Sequence, residues 1–379
     1  MEFLYVNLFI GILTLMFLFL KQKFSYWKSR GVPYIEPVIP FGNAKGLGKT
    51  LHISELMVNM YQQLKPKGPI GGIYIFIRSS AVVTDLDLVR QILVKDFSTF
   101  PNRGAYYNEV DDPLSAHLVN IEDENWKNLR AKLTPTFTSG KLKMMFQTVL
   151  DVSDHLIEVL DKETADSGQL EIKDLMARFT TDVIGSVAFG IDCNSLNDKT
   201  AKFYEMGLKS FGGINFVKRF MTMSYRNLAR KLHVKNIPED ISKFYMDVVK
   251  DTVSYREKNP EVKRNDFMNL LIQMKNSKGS DSLTINQIAA QSFVFFLAGY
   301  ETSSTTLTFC MYELSLNETV QEQARNAVKE SIEKHEGEFN YEAVNDMHYL
   351  DQCINGKKFK LNSDYTKTYL LYHFFRNFA

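Results

Sequence analysis

An apolar run at the N-terminus is the feature that most constrains the fold. Residues 3–20, FLYVNLFIGILTLMFLFL, carry no charge over 18 positions. As a helix rising about 1.5 Å per residue, the run is roughly 27 Å long, close to the hydrocarbon thickness of a bilayer. One acid, Glu2, precedes it, and four basic residues follow it: Lys21, Lys23, Lys28 and Arg30. The positive-inside rule therefore predicts a membrane anchor at residues 1–20, with the body of the chain on the cytosolic side.

The composition after the anchor is that of a globular protein. The 379 residues are 45% hydrophobic and 13% aromatic, which is enough for a large core. With 45 basic and 44 acidic residues the net charge is +1, so no overall field favours nucleic acid as a partner. The three cysteines, Cys193, Cys310 and Cys353, are odd in number and far apart. This spacing argues against disulfides and against a metal site of the C-x-x-C kind.

The order of patterns along the chain predicts a mainly α protein. Residues 21–49 are basic and then rich in Pro and Gly, and we expect a linker that lifts the body off the membrane. Residues 68–85 alternate well enough for a short pair of strands. Apolar residues recur at helical spacing in 142–160, 170–188 and 241–255. Surface loops are predicted at 256–266 and 275–282.

One long apolar helix contains the stretch AGYETSS, residues 298–304. Thr284 with Gln287 three residues later predicts a capping box at its start, and the apolar pattern continues past Cys310 towards Leu316. A glycine inside such a helix costs about 1 kcal/mol relative to alanine. The stretch therefore raises the question of what requires small, acidic and hydroxyl side chains there.

Two interpretations of this stretch compete. Small residues at Ala298 and Gly299 would let a flat ligand lie against the helix, while Glu301 and Thr302 would conduct protons into a dry pocket. In the simpler interpretation, the Thr302 hydroxyl only bonds back to the Ala298 carbonyl and Glu301 only forms an ion pair. Taken residue by residue, the simpler interpretation is favoured.

Several stretches together resemble one enzyme family. AGYETSS resembles the oxygen-activation stretch of the central helix in microsomal cytochrome P-450 monooxygenases, and DPLSAHLVNIEDENWKNLRAKLTPTFTSGKLKMMF resembles the segment around their haem-propionate helix. The runs FPNRG, GIDCNS and MHYLDQCIN are similar to the insect family-six branch, whose members oxidise plant toxins and insecticides. The resemblance covers about residues 31–355. It implies a mainly α cytochrome P-450 fold, a helical bundle around a long central helix with a small β-sheet near the N-terminus, and a partial catalytic domain at 50–355.

The resemblance also implies roles for individual residues. Glu301 and Thr302 match the catalytic acid–alcohol pair. Four residues match cofactor-binding positions: Trp126 and Arg130, which share a helix face at the haem propionate, and Ala298 and Gly299, over the porphyrin. Aromatic residues fall where the family lines its substrate pocket: Tyr106, Tyr107, Phe211, Phe293 and Phe296. The simpler alternatives are cation–π packing of Arg130 on Trp126 and an ordinary aromatic core.

The implied activity needs a cofactor and a redox partner. A family member inserts one oxygen atom of O2 into an apolar small molecule, either a xenobiotic or an endogenous lipophile. It uses haem, and its electrons come from NADPH through NADPH-cytochrome P-450 reductase. The expected location is the endoplasmic reticulum membrane, with the body on the cytosolic face.

The chain departs from the family pattern at two motifs. The family holds its iron-ligating thiolate in F-x-x-G-x-x-x-C-x-G. The glycine position of that motif is occupied by Phe189, Thr306 and Tyr349 for the three cysteines. The E-x-x-R motif is absent where it belongs, since its positions hold Gly356 and Phe359, while Glu322 and Arg325 are predicted to be a surface pair.

These departures lead to an expectation about activity. The fold is expected to be incomplete at its C-terminus, and the chain as given is expected to be inactive. Residues 356–379 lose the resemblance, and Gly356-Lys357 is the dipeptide that translation into a retained intron would give. A mis-assembled gene model or a pseudogene would look the same. The alternative function is a non-catalytic, haem-free, membrane-anchored protein such as a decoy.

Overall fold

The structure, a computed structural model, describes residues 2–355 except 49, 166–167, 214, 263, 265 and 278–281. The predicted divergent tail at 356–379, with Gly356 and Phe359, lies outside the described residues. The chain divides into two compact units. Unit 1 contains Met1–Asp111, Asn120–Asp123 and Gly213–Asn236, and unit 2 contains the other described residues.

Helices dominate the described residues, as the sequence predicts. Two strands are present among them, β1 (Ile70–Ile75) and β2 (Arg78–Val83). In chain order the α-helices are α1 (Glu2–Lys23), α2 (Ile53–Leu64), α3 (Leu86–Arg90), α4 (Asp123–Leu133), α5 (Ser139–Thr164), α6 (Ile172–Ile184), α7 (Lys202–Ser210), α8 (Phe216–Ser224), α9 (Arg226–Lys231), α10 (Glu239–Lys258), α11 (Phe267–Lys275), α12 (Ile285–Ser315), α13 (Glu318–Lys334), α14 (Tyr341–Asp346) and α15 (His348–Ile354).

The predicted strand pair is confirmed in unit 1. β1 and β2 are antiparallel, with Ile70 opposite Val83 and Ile75 opposite Arg78. α2 covers β1 because its apolar side chains repeat at helical spacing, and Leu56, Met60 and Leu64 form one buried cluster with Ile73. The hairpin and α2 therefore form the small β-containing core of unit 1.

The apolar helix α1 is fastened directly to this hairpin. The indole N–H of Trp27 donates to the Ile73 carbonyl at 3.0 Å, and the Tyr74 hydroxyl donates to the Phe24 carbonyl at 2.8 Å. Leu20 and Phe24 are buried against Tyr74. Gly72 leaves room for the Trp27 ring, because a Cβ at Gly72 would overlap the indole. Leu20 in the last turn of α1 and Phe24 just after the helix are thus part of the packed interior of unit 1.

The Pro/Gly-rich segment that follows differs from its prediction. Instead of forming a free spacer, it runs along β1. Gly72 donates to the Pro33 carbonyl at 2.8 Å and Ile35 donates to the Gly72 carbonyl at 3.0 Å. The Asn43 side chain accepts from the Tyr74 N–H at 2.7 Å. A segment that contains proline can still form hydrogen bonds along the edge of a sheet. Because residues 33–43 bond to β1 in this way, the linker belongs to unit 1.

The long helix α12 organises unit 2. Its start is a capping box, in which the Thr284 hydroxyl accepts from the Gln287 N–H at 3.2 Å and the Gln287 side chain accepts from the Thr284 N–H at 3.0 Å. The helix extends for 31 residues to Ser315, so both the predicted cap and the predicted length are confirmed. α6 lies along it, and Ile184 fills the space beside Gly299, where a Cβ would stand 2.8 Å from the Ile184 Cδ1.

Two buried arginines tie the helices of unit 2 together. The Arg178 guanidinium has no exposed surface and donates to Asp174 at 3.0 Å, to Glu163 at 2.9 Å and to the Leu196 carbonyl. Arg256 makes a bidentate pair with Asp266, with both N–O distances at 2.7 Å.

The Arg256–Asp266 pair corrects the loop predicted at 256–266. α10 extends through Arg256 to Lys258, and Asp266 caps α11, so both ends of the predicted surface loop are buried. Gly190, at φ +68°, packs against this pair, and a Cβ there would overlap the Arg256 guanidinium. By contrast, Glu322 and Arg325 form the exposed i, i+3 ion pair that the sequence predicts.

Candidate functional site

The two sides of α12 differ in character. One side is buried and mostly apolar, and includes Ile288, Phe293, Phe296 and Tyr300. The opposite side exposes Ala298, Thr302 and Ser303. Beside it lies an open cavity of about 270 Å³, lined by Thr302, Ser303, Thr306 and Leu307. A hydroxyl-bearing strip on an otherwise apolar helix therefore faces open space.

The Thr302 hydroxyl bonds to its own helix. It donates to the Ala298 carbonyl, the back-bond of the simpler interpretation. A hydroxyl that donates once still has lone pairs with which to accept a hydrogen bond. The Thr302 hydroxyl can therefore accept a hydrogen bond from a group in the cavity and keep its own bond to the Ala298 carbonyl.

The Glu301 carboxylate points to a different neighbour. It forms an ion pair with Lys173 of α6 at 3.0 Å and accepts from the Thr305 hydroxyl at 3.2 Å. Lys173 also donates to Thr305 at 2.7 Å and to Ser304 at 3.2 Å. Adjacent helix residues are about 100° apart, so Glu301 and Thr302 cannot face the same direction. The structure thus does not join the two side chains in one hydrogen-bonded pair, and the proton role of Glu301 stays a prediction.

The two small residues of the stretch face different surroundings. Ala298 lies on the exposed side with Thr302, where its small methyl group leaves space above the helix backbone. The missing side chain of Gly299 instead accommodates Ile184 of α6. Close helix packing thus gives a reason for glycine at 299, and contact of a flat ligand with Ala298 stays a prediction.

Trp126 and Arg130 lie on one face of α4. The Arg130 guanidinium is 5.8 Å from the centre of the Trp126 ring, and Arg130 is exposed. In the part of the chain that the structure describes, no carboxylate pairs with Arg130. The side chains make the cation–π contact of the simpler interpretation, and the same contact leaves a cation free to bind an anionic group.

The predicted pocket aromatics separate into three environments. Phe293 and Phe296 are buried in an aromatic cluster, in which Phe296 stacks on Tyr300 with the ring centres 5.7 Å apart. Phe211 is half-exposed at the edge of that cluster, 5.8 Å from Tyr300. Tyr106 and Tyr107 belong to unit 1 and contact Arg230 there. The cluster in unit 2 has the packing of an ordinary core.

Burial opposes thiolate formation at two of the three cysteines. It raises the pKa of Cys193, to which the nearby carboxylates of Asp182 and Asp192 add, and it raises the pKa of Cys310. Cys353 is itself buried. A raised pKa keeps a thiol protonated, whereas an iron ligand must be a thiolate.

A haem therefore fits this chain only in part. The open strip at Thr302 and the free cation of Arg130 suit its flat face and its carboxylates, and the described cysteines do not suit its iron.

Two contacts of predicted site residues, one in each unit, could not be found from sequence patterns. Lys173 meets Glu301 across 128 positions, and Arg230 meets Tyr107 across 123. Each basic residue lies in a helix with no motif around it, so a single sequence contains no signal for either contact.

Comparison with known proteins places these features in a family. The family model described as Cytochrome P450 matches residues 32–355. The Drosophila melanogaster protein named Probable cytochrome P450 6a20 is 45% identical over 359 residues, covering 92% of this chain and 72% of its own length. Cytochrome P450 6A1 of Musca domestica is 46% identical over 354 residues, covering 91% and 69%. The chain belongs to the cytochrome P450 family, the haem monooxygenases that its α12 stretch and its mainly α fold indicate.

Proposed function

We propose that this chain forms two parts of a monooxygenase site for apolar small molecules. One part is the surface of α12 beside which oxygen is activated, and the other is the contact to a haem propionate. The observation that carries the proposal is the strip on α12, where Thr302, Ser303 and Thr306 face an open cavity of about 270 Å³. Neighbouring hydroxyls on an apolar helix can hydrogen-bond a polar ligand atom.

Three side chains have distinct tasks in this proposal. Thr302 accepts a hydrogen bond in the cavity while its own hydroxyl proton is donated to the Ala298 carbonyl. Arg130 binds a carboxylate of the cofactor, held in place by the Trp126 ring. Haem, when bound, supplies the iron at which the family activates oxygen.

The substrate and the electron source follow from the family. Apolar xenobiotics such as plant toxins or insecticides, or endogenous lipophiles, suit a wall with so few charged groups. Electrons would come from NADPH through NADPH-cytochrome P-450 reductase. In unit 2 the proposed substrate contact is Phe211, which is half-exposed, since Phe293 and Phe296 are buried on the side of α12 away from the cavity.

We further propose that the 379 residues alone do not hold a thiolate-ligated haem. The support is the environment of the cysteines, since burial keeps Cys193 and Cys310 protonated and none of the three lies in the family's ligand loop. In this form the chain would be the haem-free, membrane-anchored protein of the alternative interpretation.

A carbon monoxide difference spectrum tests this proposal directly. The purified chain, reconstituted with haem and reduced, is expected to lack the shifted Soret band that thiolate-ligated ferrous haem gives. A cytochrome P450 relative treated in the same way should show the band and serves as the control. A shifted band that disappears when one of Cys193, Cys310 or Cys353 is replaced by Ser would overturn the proposal.

The membrane position is a second proposal. Among the described residues one helix is long and apolar enough to cross a membrane, with a mean hydropathy of 2.4. Four basic residues follow its apolar run, which supports an anchor in the endoplasmic reticulum with the body in the cytosol.

Protease added outside intact microsomes is expected to destroy a C-terminal epitope on this chain. The reason is that the cytosolic orientation leaves the whole body exposed to the protease. A lumenal marker protein in the same vesicles should survive and shows that they are sealed. Survival of the C-terminal epitope would show that the orientation is reversed.

A further inference from the structure

A segment of unit 1 with neither helix nor strand is held by side chains from elsewhere in that unit. Residues 102–107 form no regular element, yet Tyr106 within them is only 6% exposed. A buried irregular segment needs partners for its polar groups. These partners come from α9 and the turn that follows it.

Arg230 makes the central contact. Its Nε donates to the Tyr107 carbonyl at 2.9 Å, and its guanidinium lies 4.8 Å from the Tyr107 ring centre and 5.9 Å from that of Tyr106. Asn227, one turn earlier in α9, accepts from the guanidinium at 3.1 Å and so fixes its plane. The Arg230 side chain therefore contacts both the backbone at Tyr107 and the rings of Tyr106 and Tyr107.

Four further contacts are made by α9 and the turn after it, three of them to residues 105–111. The Tyr106 hydroxyl donates to the Val234 carbonyl at 2.6 Å. His233 and Asp111 are 2.8 Å apart, and Arg226 pairs with Glu122 at 2.7 Å while also donating to the Ala105 carbonyl at 3.4 Å. Away from α9, the Asn102 side chain donates to Asp123 at 2.7 Å and Arg78 of β2 donates to the Gly104 carbonyl at 3.4 Å, so the part of the segment that depends on α9 is residues 105–107.

We propose that Arg230 is a positioning residue. It holds residues 102–107, together with the turn that follows them to Asp111, against α9 and thereby fixes the rings of Tyr106 and Tyr107. The inference rests on the proposed function in one respect, namely that these rings are the substrate contacts of unit 1. The positioning itself depends only on contacts within unit 1. A charged donor to a carbonyl and a cation over a ring both weaken when the guanidinium is removed.

Hydrogen exchange on the full chain in detergent micelles tests the proposal. Arg230→Ala should speed amide exchange in 102–111 by roughly tenfold or more. Arg230→Lys keeps a charge near the rings but loses the planar fork, so it should restore part of the protection. Lys231→Ala, on the same helix and exposed, is the matched control and should change nothing in this segment.

A purely structural role for Arg230 predicts a different result. Exchange would then rise equally in the β1–β2 hairpin and in 102–111, and the lysine variant would give no rescue. That outcome, or unchanged exchange in Arg230→Ala, would overturn the proposal. Tyr106→Phe provides a second measurement, because it keeps the ring and removes the hydroxyl that donates to Val234. If the two residues share one task, the double variant should exchange more slowly than the product of the two single effects predicts, and independent effects would contradict the proposal.

The result can be separated from that of the function proposed above. Exchange is read on the haem-free chain, so a positive carbon monoxide spectrum would leave the positioning of Tyr106 and Tyr107 untouched. Conversely, unchanged exchange in the Arg230 variant would remove the positioning role and leave the site on α12 as it is.

Discussion

Replacing Asp266 by Ala is expected to destabilise unit 2 more than any other substitution considered for this chain. The change leaves the Arg256 guanidinium, whose side chain is 6% exposed, buried without its carboxylate. Breaking a buried ion pair by removing one partner costs about 3–5 kcal/mol. Asp266 also caps α11 by accepting from the Asn269 N–H at 2.9 Å, and a lost cap adds about 1 kcal/mol.

Companion variants divide this effect into its parts. Asp266→Asn keeps an oxygen for the cap and should recover about 1 kcal/mol. Arg256→Met combined with Asp266→Ala removes both charges, so it should be more stable than Asp266→Ala alone. Asp240→Ala removes an exposed aspartate and should stay within about 0.5 kcal/mol of the parent. The measurement is the midpoint of urea unfolding, and equal midpoints for Asp266→Ala and Asp240→Ala would contradict the prediction.

Arg178→Met should have the second-largest effect, about 3 kcal/mol, at the low end of the range for buried ion pairs. The guanidinium is fully buried, but its partners Glu163 and Asp174 keep 24% and 30% of their side-chain surface exposed. Water can therefore reach the two carboxylates after Arg178 is lost, which limits the cost. The remaining loss comes from the bond to the Leu196 carbonyl and from two acids that keep only Lys199 as a shared cation.

Arg325→Met is the matched control for Arg178→Met. Arg325 also pairs with an acid, Glu322, but both side chains are more than half exposed. Exposed pairs contribute about 0–1 kcal/mol, so this variant should unfold at nearly the same urea concentration as the parent. If Arg178→Met also unfolds at the urea concentration of the parent, the ion pairs of Arg178 with Glu163 and Asp174 do not stabilise unit 2.

Local patterns predicted the parts of the fold that depend on neighbouring residues. The capping box at Thr284 and the length of α12 follow from spacings of three and four along one helix. The hairpin β1–β2 follows from alternation within 18 residues, 68–85. In each case the deciding contacts lie close together in sequence.

Prediction stopped where a distant partner decides the structure. The segment 256–266 has the composition of a loop, and only the Arg256–Asp266 ion pair, which packs against Gly190, shows why its two ends are buried. The sequence of α12 could not reveal that Lys173 would turn Glu301 towards α6, or that Ile184 would fill the space at Gly299. Pattern and spacing located the stretch, and tertiary contacts determined where each side chain points.

The attachment of α1 has a consequence for the response of the protein to lipids. On the proposed topology, Trp27 joins α1 to β1 a few residues after the apolar run ends. An apolar run of roughly 27 Å matches a thin bilayer, and a thicker bilayer must thin around it or draw its flanking residues inward. Because the side chains just after α1 pack on β1, such a displacement of the helix end would act on unit 1 directly. Membrane thickness thereby becomes a mechanical input to unit 1.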